Sequence, residues 1–258
     1  MSIYACRVDS NKFIGSGHIT RCINFAKNFN NIKFIFIVSE IDKYYLNILK
    51  KQNFKIIFIK NNKNSKRHEN ILHEVMQINK ILKLNKVECF FIDLYNCSTF
   101  YTRSIYKEFK NTCLIESEIK RKHKVRKIIN IFNTNIPDNL KIFFNTNSVK
   151  ILNNCQAYFI DNYFKKKKLI KNNYNNKIVV AISFGAVDKH NLTYKLTKIF
   201  ADKKFTNYNF NIIIGLNNMN FKSIDKFKTK NIKIFKNPKN FNQIISNSNI
   251  YIGAAGMT

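Results

Sequence analysis

The stretch "SIYACRVDSNKFIGSGHITRCINFAKNF" (Ser2–Phe29) decides the fold. It opens with an apolar run of strand length, Ser2–Val8. A polar segment leads to a turn holding Gly15 and Gly17. Ile19, Cys22, Ile23, Ala26 and Phe29 then recur at the spacing of one helical face. The chain has only 6 Gly and 5 His, yet Phe13–Cys22 holds two of the glycines, His18 and Arg21. A strand, a glycine turn and a helix in that order build an anion-binding corner, because the first helical turn carries unpaired N–H groups and the positive end of the dipole. Both glycines read as positions needing backbone freedom or close ligand approach. His18 falls at the carboxyl edge of the sheet, where open α/β sheets bind ligands, and a neutral imidazole there can serve as a general base. The plainer alternative is a helix-capping turn with an exposed histidine. The glycine spacing does not match G-x-G-x-x-G, so a dinucleotide fingerprint fails.

The same unit repeats. Strands are predicted at 32–38, 54–60 and 87–93, the last ending at Asp93. Helices are marked by Ile41, Tyr44, Tyr45, Ile48 and Leu49, and by Ile71, Val75, Ile78 and Leu82. The apolar runs are continuous rather than alternating, which suits parallel strands covered on both faces. From 95 to 150 only short strands at 112–116 and 127–132 are legible. The segment "KKKKLIKNNYNNK" (165–177) is polar and patternless and reads as an interdomain connection. A second series follows: strands at 177–183, 210–215, 231–235 and 249–252, a helix bearing Leu192, Leu196, Ile199 and Phe200, and a helix around 239–247. The expected organisation is an N-terminal α/β domain (1–155), a linker region (156–176) and a C-terminal α/β domain (177–258). The sequence stops at "GAAGMT", where a glycine turn should lead into a helix, so the second domain is expected to be incomplete.

Composition narrows the class. Among 258 residues, 45% are hydrophobic and 14% aromatic, enough for true cores and unlike a disordered chain. No apolar run reaches the roughly 20 residues of a membrane helix, and no signal peptide is evident, so a cytoplasmic protein is expected. The 6 Cys contain no C-x-x-C pair and read as buried thiols rather than zinc ligands or a disulfide framework. The formal charge of +30 suggests a nucleic-acid binder at first sight. Lys, Asn, Ile and Phe are inflated together, however, as AT-rich codons would produce. Arg, the better reader of phosphates and bases, is scarce. A nucleic-acid partner is therefore not expected, although a basic surface would favour a diphosphate ligand.

Arg7, Asp9, Ile14, Gly15, Gly17, His18 and Arg21 form the pattern R-x-D-x-x-x-x-I-G-x-G-H-x-x-R. This resembles the N-terminal motif of the nucleotide-sugar hydrolases of pseudaminic acid biosynthesis. "FFIDLY" (90–95) is similar to that family's strand ending in D-x-Y, "AYFIDNYF" (157–164) to its stretch before the second domain, "ISFGAVDKHNLT" (182–193) to its F-G-G-x-D-x-x-N-L-T turn, and "ISNSNIYIGAAGMT" (245–258) to its final strand and nucleotide turn. The resemblance implies a glycosyltransferase-B-like fold, two Rossmann-like domains facing a cleft, with no metal and no cofactor. It implies a UDP-linked 2,4-diacetamido-2,4,6-trideoxy sugar as substrate, with His18 activating water for inverting attack on the anomeric carbon. Arg7, Asp9, Gly15, Gly17, Arg21, Asp93 and Tyr95 would line the substrate side. Gly185, Asp188 and Asn191 would meet the nucleotide phosphates, and Gly253 and Gly256 would form the uridine-diphosphate turn. Two departures stand out: Ala186 replaces the second Gly of the F-G-G turn, and the chain ends before the polar residues that open the family's next helix. A glycosyltransferase of the same fold and an inactive nucleotide-binding relative remain alternatives.

Overall fold

The computed structural model describes residues 1–11, 13–60, 67–131, 135–153, 177–218 and 220–254. The expected linker 156–176, the stretch 157–164, Cys155 and Gly256 lie outside the described residues. The chain divides into two compact units, each built on one parallel sheet.

The first unit runs β1 (Ser2–Val8), α1 (Gly17–Lys27), β2 (Ile32–Val38), α2 (Lys43–Lys51), β3 (Lys55–Phe58), α3 (Arg67–Leu84), β4 (Cys89–Asp93), α4 (Thr99–Glu108), β5 (Thr112–Glu116), β6 (Lys127–Asn130), α5 (Asp138–Thr146) and β7 (Lys150–Asn153). Its seven strands lie in the order β3-β2-β1-β4-β5-β6-β7. The chain works outward from β1 in one direction, then returns to start again at β4. The order thus reverses between β1 and β4, and that gap is where such sheets place ligands. Both faces of the sheet are covered, as the continuous apolar runs require. Ala5, Ile37, Phe90, Ile92 and Leu114 pack on one side with Val75 and Ile78 of α3 and Ile105 of α4. On the other, Phe25 of α1 meets Phe91 of β4 edge to face, with ring centroids 4.9 Å apart. Fully burying side chains of this size stabilises by about 1.5–3 kcal/mol each.

The second unit runs β8 (Ile178–Ser183), α6 (Leu192–Phe200), a short 3₁₀ turn (Lys203–Phe205), β9 (Tyr208–Ile214), α7 (Phe221–Asp225), β10 (Ile232–Lys236), α8 (Phe241–Ser246) and β11 (Ile250–Gly253). Its strands lie in the order β10-β9-β8-β11, all parallel. Val180, Ile182, Phe210, Ile212 and Ile214 form the core, and Phe200 of α6 stacks on Phe210 at 4.7 Å.

The sequence reading missed α4, α5, β7 and α7. The first two bury only short apolar sets, Tyr101 and Ile105 in α4 and Leu140 and Phe144 in α5, one i, i+4 pair each. What fixes α4 is its cap: Ser98 Oγ accepts the Tyr101 N–H at 3.1 Å. The five described cysteines are free and buried. Among the described residues, no helix is long and apolar enough to cross a membrane.

Candidate functional site

The reversal of strand order in the first sheet is occupied by three polar side chains that the sequence singled out. Val8 pairs with Asp93, which sets Asp93 at the carboxyl end of β4 beside the end of β1. Asp93 is fully buried. α1 brings His18 and Arg21 to it from one face, since residues three apart on a helix are neighbours. His18 Nδ1 lies 2.6 Å from Asp93 Oδ1, Arg21 Nε donates to Oδ2 at 2.5 Å, and Arg21 Nη2 also donates to Oδ1. Cys22 adds a thiol donor 3.4 Å from Oδ2.

Electrostatics decides the charge states. Burial alone would raise the Asp93 pKa, but the Arg21 charge and the hydrogen bonds from Arg21 and His18 outweigh it and hold the carboxyl at about 2. Burial likewise opposes the Arg21 charge, and Asp93 more than compensates, raising its pKa. Asp93 is therefore an anion, and an anion cannot face a ring lone pair at 2.6 Å. Arg21 Nη2, which can only donate, also lies 2.8 Å from Nδ1, but the shorter contact to the anion assigns the hydrogen to Nδ1 and leaves Nε2 as the basic nitrogen. Nε2 makes no hydrogen bond among the described residues, and the imidazole is 17% exposed. The Tyr95 ring stands edge-on to His18 at 6.3 Å and is itself exposed.

Arg7 and Asp9 are brought together, but with each other. Arg7 is 2% exposed. Its Nη1 and Nη2 donate to the two Asp9 oxygens at 2.6 and 2.8 Å, and its Nε donates to Glu74 Oε1 at 2.8 Å. Asp9 also accepts from the Ser39 and Glu40 N–H groups at 2.7 and 3.1 Å. Tyr101 closes the network with a hydroxyl donated to Glu74 at 2.8 Å. Burial opposes the Arg7 charge, but Glu74 and Asp9 outweigh it and drive the pKa up. These contacts tie the ends of β1 and β2 to α3 and α4. They brace the site's floor rather than extend a free charge.

Of the two glycines in the turn, only Gly15 has positive φ, at 81°. A Cβ on Gly17 would meet nothing within 4 Å, so Gly17 needs no special freedom. In the second unit Gly185 has φ 80° in the turn after β8. Asp188 caps α6 with both oxygens, accepting the Leu192 and Thr193 N–H groups at 2.9 Å each. Asn191 is left-handed, with φ 54°, and its Oδ1 is buried with no hydrogen-bond partner. Gly253 is glycine because a Cβ would come within 2.6 Å of Ser183 O. A glycine the sequence reading passed over, Gly215 after β9, is equally constrained: its Cβ would fall 2.2 Å from Gly185 O and 2.4 Å from Ala186 Cα. Ala186 is thus packed against a turn that makes room for it.

The reading also missed Glu74, Ser39, Tyr101, Glu116 and His123. One signal was available for Glu116, since "CLIE" ends β5 in an acid just as "CFFID" ends β4. Glu74 and Tyr101 sit inside helices and offer no such cue.

No family model matches the chain. An uncharacterized protein of Methanocaldococcus jannaschii is 24% identical over 273 residues, covering 97% of this chain and 51% of that protein. The chain thus spans about half the length of that relative. Among solved structures, MurG of Acinetobacter baumannii matches with a TM-score of 0.62 at 11% identity, over 100% of this chain and 73% of that one. The UDP-GlcNAc 2-epimerase of Neisseria meningitidis bound to UDP-GlcNAc matches at 0.56 and 15%, over 98% and 77%. HepE of Anabaena, in complex with UDP and glucose, matches at 0.54 and 8%, over 96% and 73%. At these identities the likeness is one of fold, and with the two parallel sheets it identifies a glycosyltransferase-B-like fold.

Proposed function

We propose that this chain hydrolyses a UDP-linked sugar, releasing UDP, with His18 as the base. The observation that carries the reading is the Arg21–Asp93–His18 cluster at the reversal point of the first sheet. Asp93 holds the imidazole in one tautomer and balances the positive charge that arises when Nε2 accepts a proton. Nε2 takes a proton from water as the water oxygen bonds to the anomeric carbon. The bond from that carbon to the diphosphate oxygen breaks, and the electron pair leaves with UDP. The proton then passes from Nε2 to solvent. UDP is a good leaving group, so donors for its developing charge suffice and no strong acid is required.

The family resemblance of the sequence supports the finer reading. In it the substrate is UDP-2,4-diacetamido-2,4,6-trideoxy-β-L-altropyranose, on the route to pseudaminic acid, and a cytoplasmic setting follows. Arg7 and Asp9 then act through the floor they brace, Arg21 through Asp93, and Tyr95 as an exposed ring beside the base. Gly15 shapes the turn before α1. Gly185, Asp188, Asn191, Gly253 and Gly256 are assigned to the nucleotide. Two of the fold neighbours, the Neisseria epimerase bound to UDP-GlcNAc and HepE in complex with UDP and glucose, point to the same ligand class.

The test is UDP release with water as the sole acceptor. His18→Ala and His18→Gln should lower turnover by about 10²–10⁴-fold. UDP affinity should change little, because backbone amides and not the imidazole are assigned to the phosphates. UDP should also raise the melting temperature without any divalent metal; at 100 times its dissociation constant it adds about 2.7 kcal/mol. Full activity in His18→Ala would end the mechanism. UDP released only with an added alcohol would mean a glycosyltransferase, and an altered sugar still joined to UDP would mean an epimerase.

A further inference from the structure

Glu116 ends β5 as Asp93 ends the neighbouring β4, the strands pairing through Ile92 and Leu114. Asp93 turns toward α1, where Arg21 and Cys22 meet it. Glu116 turns the other way. Its Oε1 lies 3.4 Å from His123 Nε2, and His123 Nδ1 lies 3.3 Å from Thr102 Oγ1 on α4. His123 is 1% exposed and the Glu116 side chain 20%, so this chain of groups runs from the interior to the partly exposed end of β5. The Asp93 and Arg21 charges still act on Glu116 across the strand ends.

Elimination places the proton. Thr102 Oγ1 gives its single hydrogen to the Thr99 carbonyl at 3.1 Å, and a carbonyl cannot donate. Toward His123 the hydroxyl is then an acceptor, so Nδ1 carries a hydrogen, and in a neutral ring, which burial and Arg121 favour here, Nε2 keeps a lone pair. A lone pair facing a carboxylate would set two acceptors against each other. A proton on Glu116 turns the contact into donor to acceptor. The surroundings agree. Burial, then the Asp93 charge, push the Glu116 pKa up to about 7, with Arg121 and Arg21 pulling the other way. Burial and Arg121 push His123 down to about 4, so the ring is neutral. The Cys97 thiol ahead of α4 also faces Glu116 and, being buried, stays protonated. Among the described residues no hydrogen bond is made to the carboxyl, and His123 Nε2, at 3.4 Å, is the polar group it faces.

We propose that Glu116 serves the site as a neutral carboxylic acid, its proton donated inward to His123 and its other oxygen accepting a hydrogen bond from a hydroxyl or amide N–H of the bound sugar. The proposal rests on the UDP-sugar reading above. A neutral acceptor adds no second negative charge beside Asp93, where it would repel a diphosphate-bearing ligand.

Glu116→Gln reproduces the acid in shape and polarity: the amide N–H donates to His123 Nε2 and the amide oxygen faces the ligand. With UDP-2,4-diacetamido-2,4,6-trideoxy-β-L-altropyranose as probe, the wild-type KM should rise as pH passes about 7. Glu116→Gln should hold a flat, low KM across that range. Glu116→Ala should raise KM about fivefold over wild type below that pH, the worth of one hydrogen bond, with kcat little changed, and the gap should close above it. In infrared difference spectra of wild type against Glu116→Gln, a carboxylic-acid carbonyl band should be present below the midpoint and vanish above it. That band needs no turnover, so it separates the two claims. Absence of the band, or a KM in Glu116→Gln as poor as in Glu116→Ala, overturns the proposal. A band that titrates in a protein that binds no UDP-sugar overturns the acceptor role together with the functional reading, and leaves the inward proton as a structural device.

Discussion

The ends of β4 and β5 carry the same functional group to opposite outcomes. Asp93 is fully buried and stays charged, at about 2. Glu116 is partly exposed, yet burial and its neighbours raise it to about 7. Exposure alone would predict the reverse. The difference lies in partners: Asp93 meets a guanidinium with two donors and a ring N–H, whereas Glu116 faces a neutral ring and feels Asp93 itself as a like charge. Pairing fixes the first carboxyl as an anion, and that anion helps keep its neighbour neutral.

The largest effect is expected from breaking the charged end. Asp93→Asn keeps the shape but leaves Arg21 as a buried cation without its anion. Removing one partner of such a pair costs about 3–5 kcal/mol, read as a lowered urea midpoint at neutral pH. The sign with pH follows from the shift. A carboxyl held at about 2, against 3.8 unperturbed, adds stability that is present above 3.8 and lost as pH falls through 2. Asp93→Asn should lack that acid limb. A loss under about 1 kcal/mol would class the pair with exposed salt bridges and erase the contrast.

Periodicity exposed the parallel strands because continuous apolar runs have one physical reading in a doubly wound sheet. It gave β1 at its observed bounds and β2 likewise. It failed at α4 and α5, where a cap and one apolar pair do the work of a full stripe. Of the candidate site, His18, Arg21 and Asp93 were readable because a glycine turn and a strand end announce them. The task of Arg7 was not readable. Its partner Glu74 lies 67 residues away on α3, and no local pattern links them. Gly17 was over-read: scarcity suggested a conformational need, but only Gly15 has one. Glu116 had the same strand-end cue as Asp93, but its protonation depends on His123 and Thr102, a contact made by tertiary packing.

The second expected effect sharpens the neutral end. Glu116, raised from 4.5 to about 7, adds stability that is full below 4.5 and lost as pH rises through 7. His123, lowered from 6.5 to about 4, adds stability that is full above 6.5 and lost as pH falls through 4. Between 4.5 and 6.5 the two slopes oppose each other and nearly cancel in the wild type. Glu116→Gln should uncover the histidine: relative to wild type, stability should climb with pH across that window by up to about 1.4 kcal/mol per unit. His123→Asn should uncover the acid, with a slope of opposite sign. Urea midpoints at a series of pH values measure both. Parallel curves for wild type and Glu116→Gln would mean the carboxyl titrates normally, and the contrast with Asp93 would be lost.

The smallest effect belongs to a third carboxylate, Asp188, which follows β8 in the second unit and has neither a cation nor a ring beside it among its hydrogen-bond partners. Both its oxygens accept backbone N–H groups at the start of α6, from Leu192 and Thr193. In the fold, whatever the nucleotide asks of it, Asp188 caps α6, and capping depends on hydrogen-bond geometry more than on charge. Asp188→Ala should therefore cost about 1 kcal/mol, within the 0.5–2 kcal/mol range for a lost cap. A few tenths more are expected because φ is 47° at this residue, where Ala fits less well than Asp or Asn. Asp188→Asn should recover most of the loss, since one amide oxygen can still accept and Asn tolerates the left-handed backbone. The same Asp-to-Asn change is thus expected to be mild here and severe at Asp93. Urea midpoints of the two Asn variants under one set of conditions compare them directly. If Asp188→Asn cost as much as Asp93→Asn, charge would matter at the turn as well as at the strand end, and partners alone would not explain how these carboxylates differ.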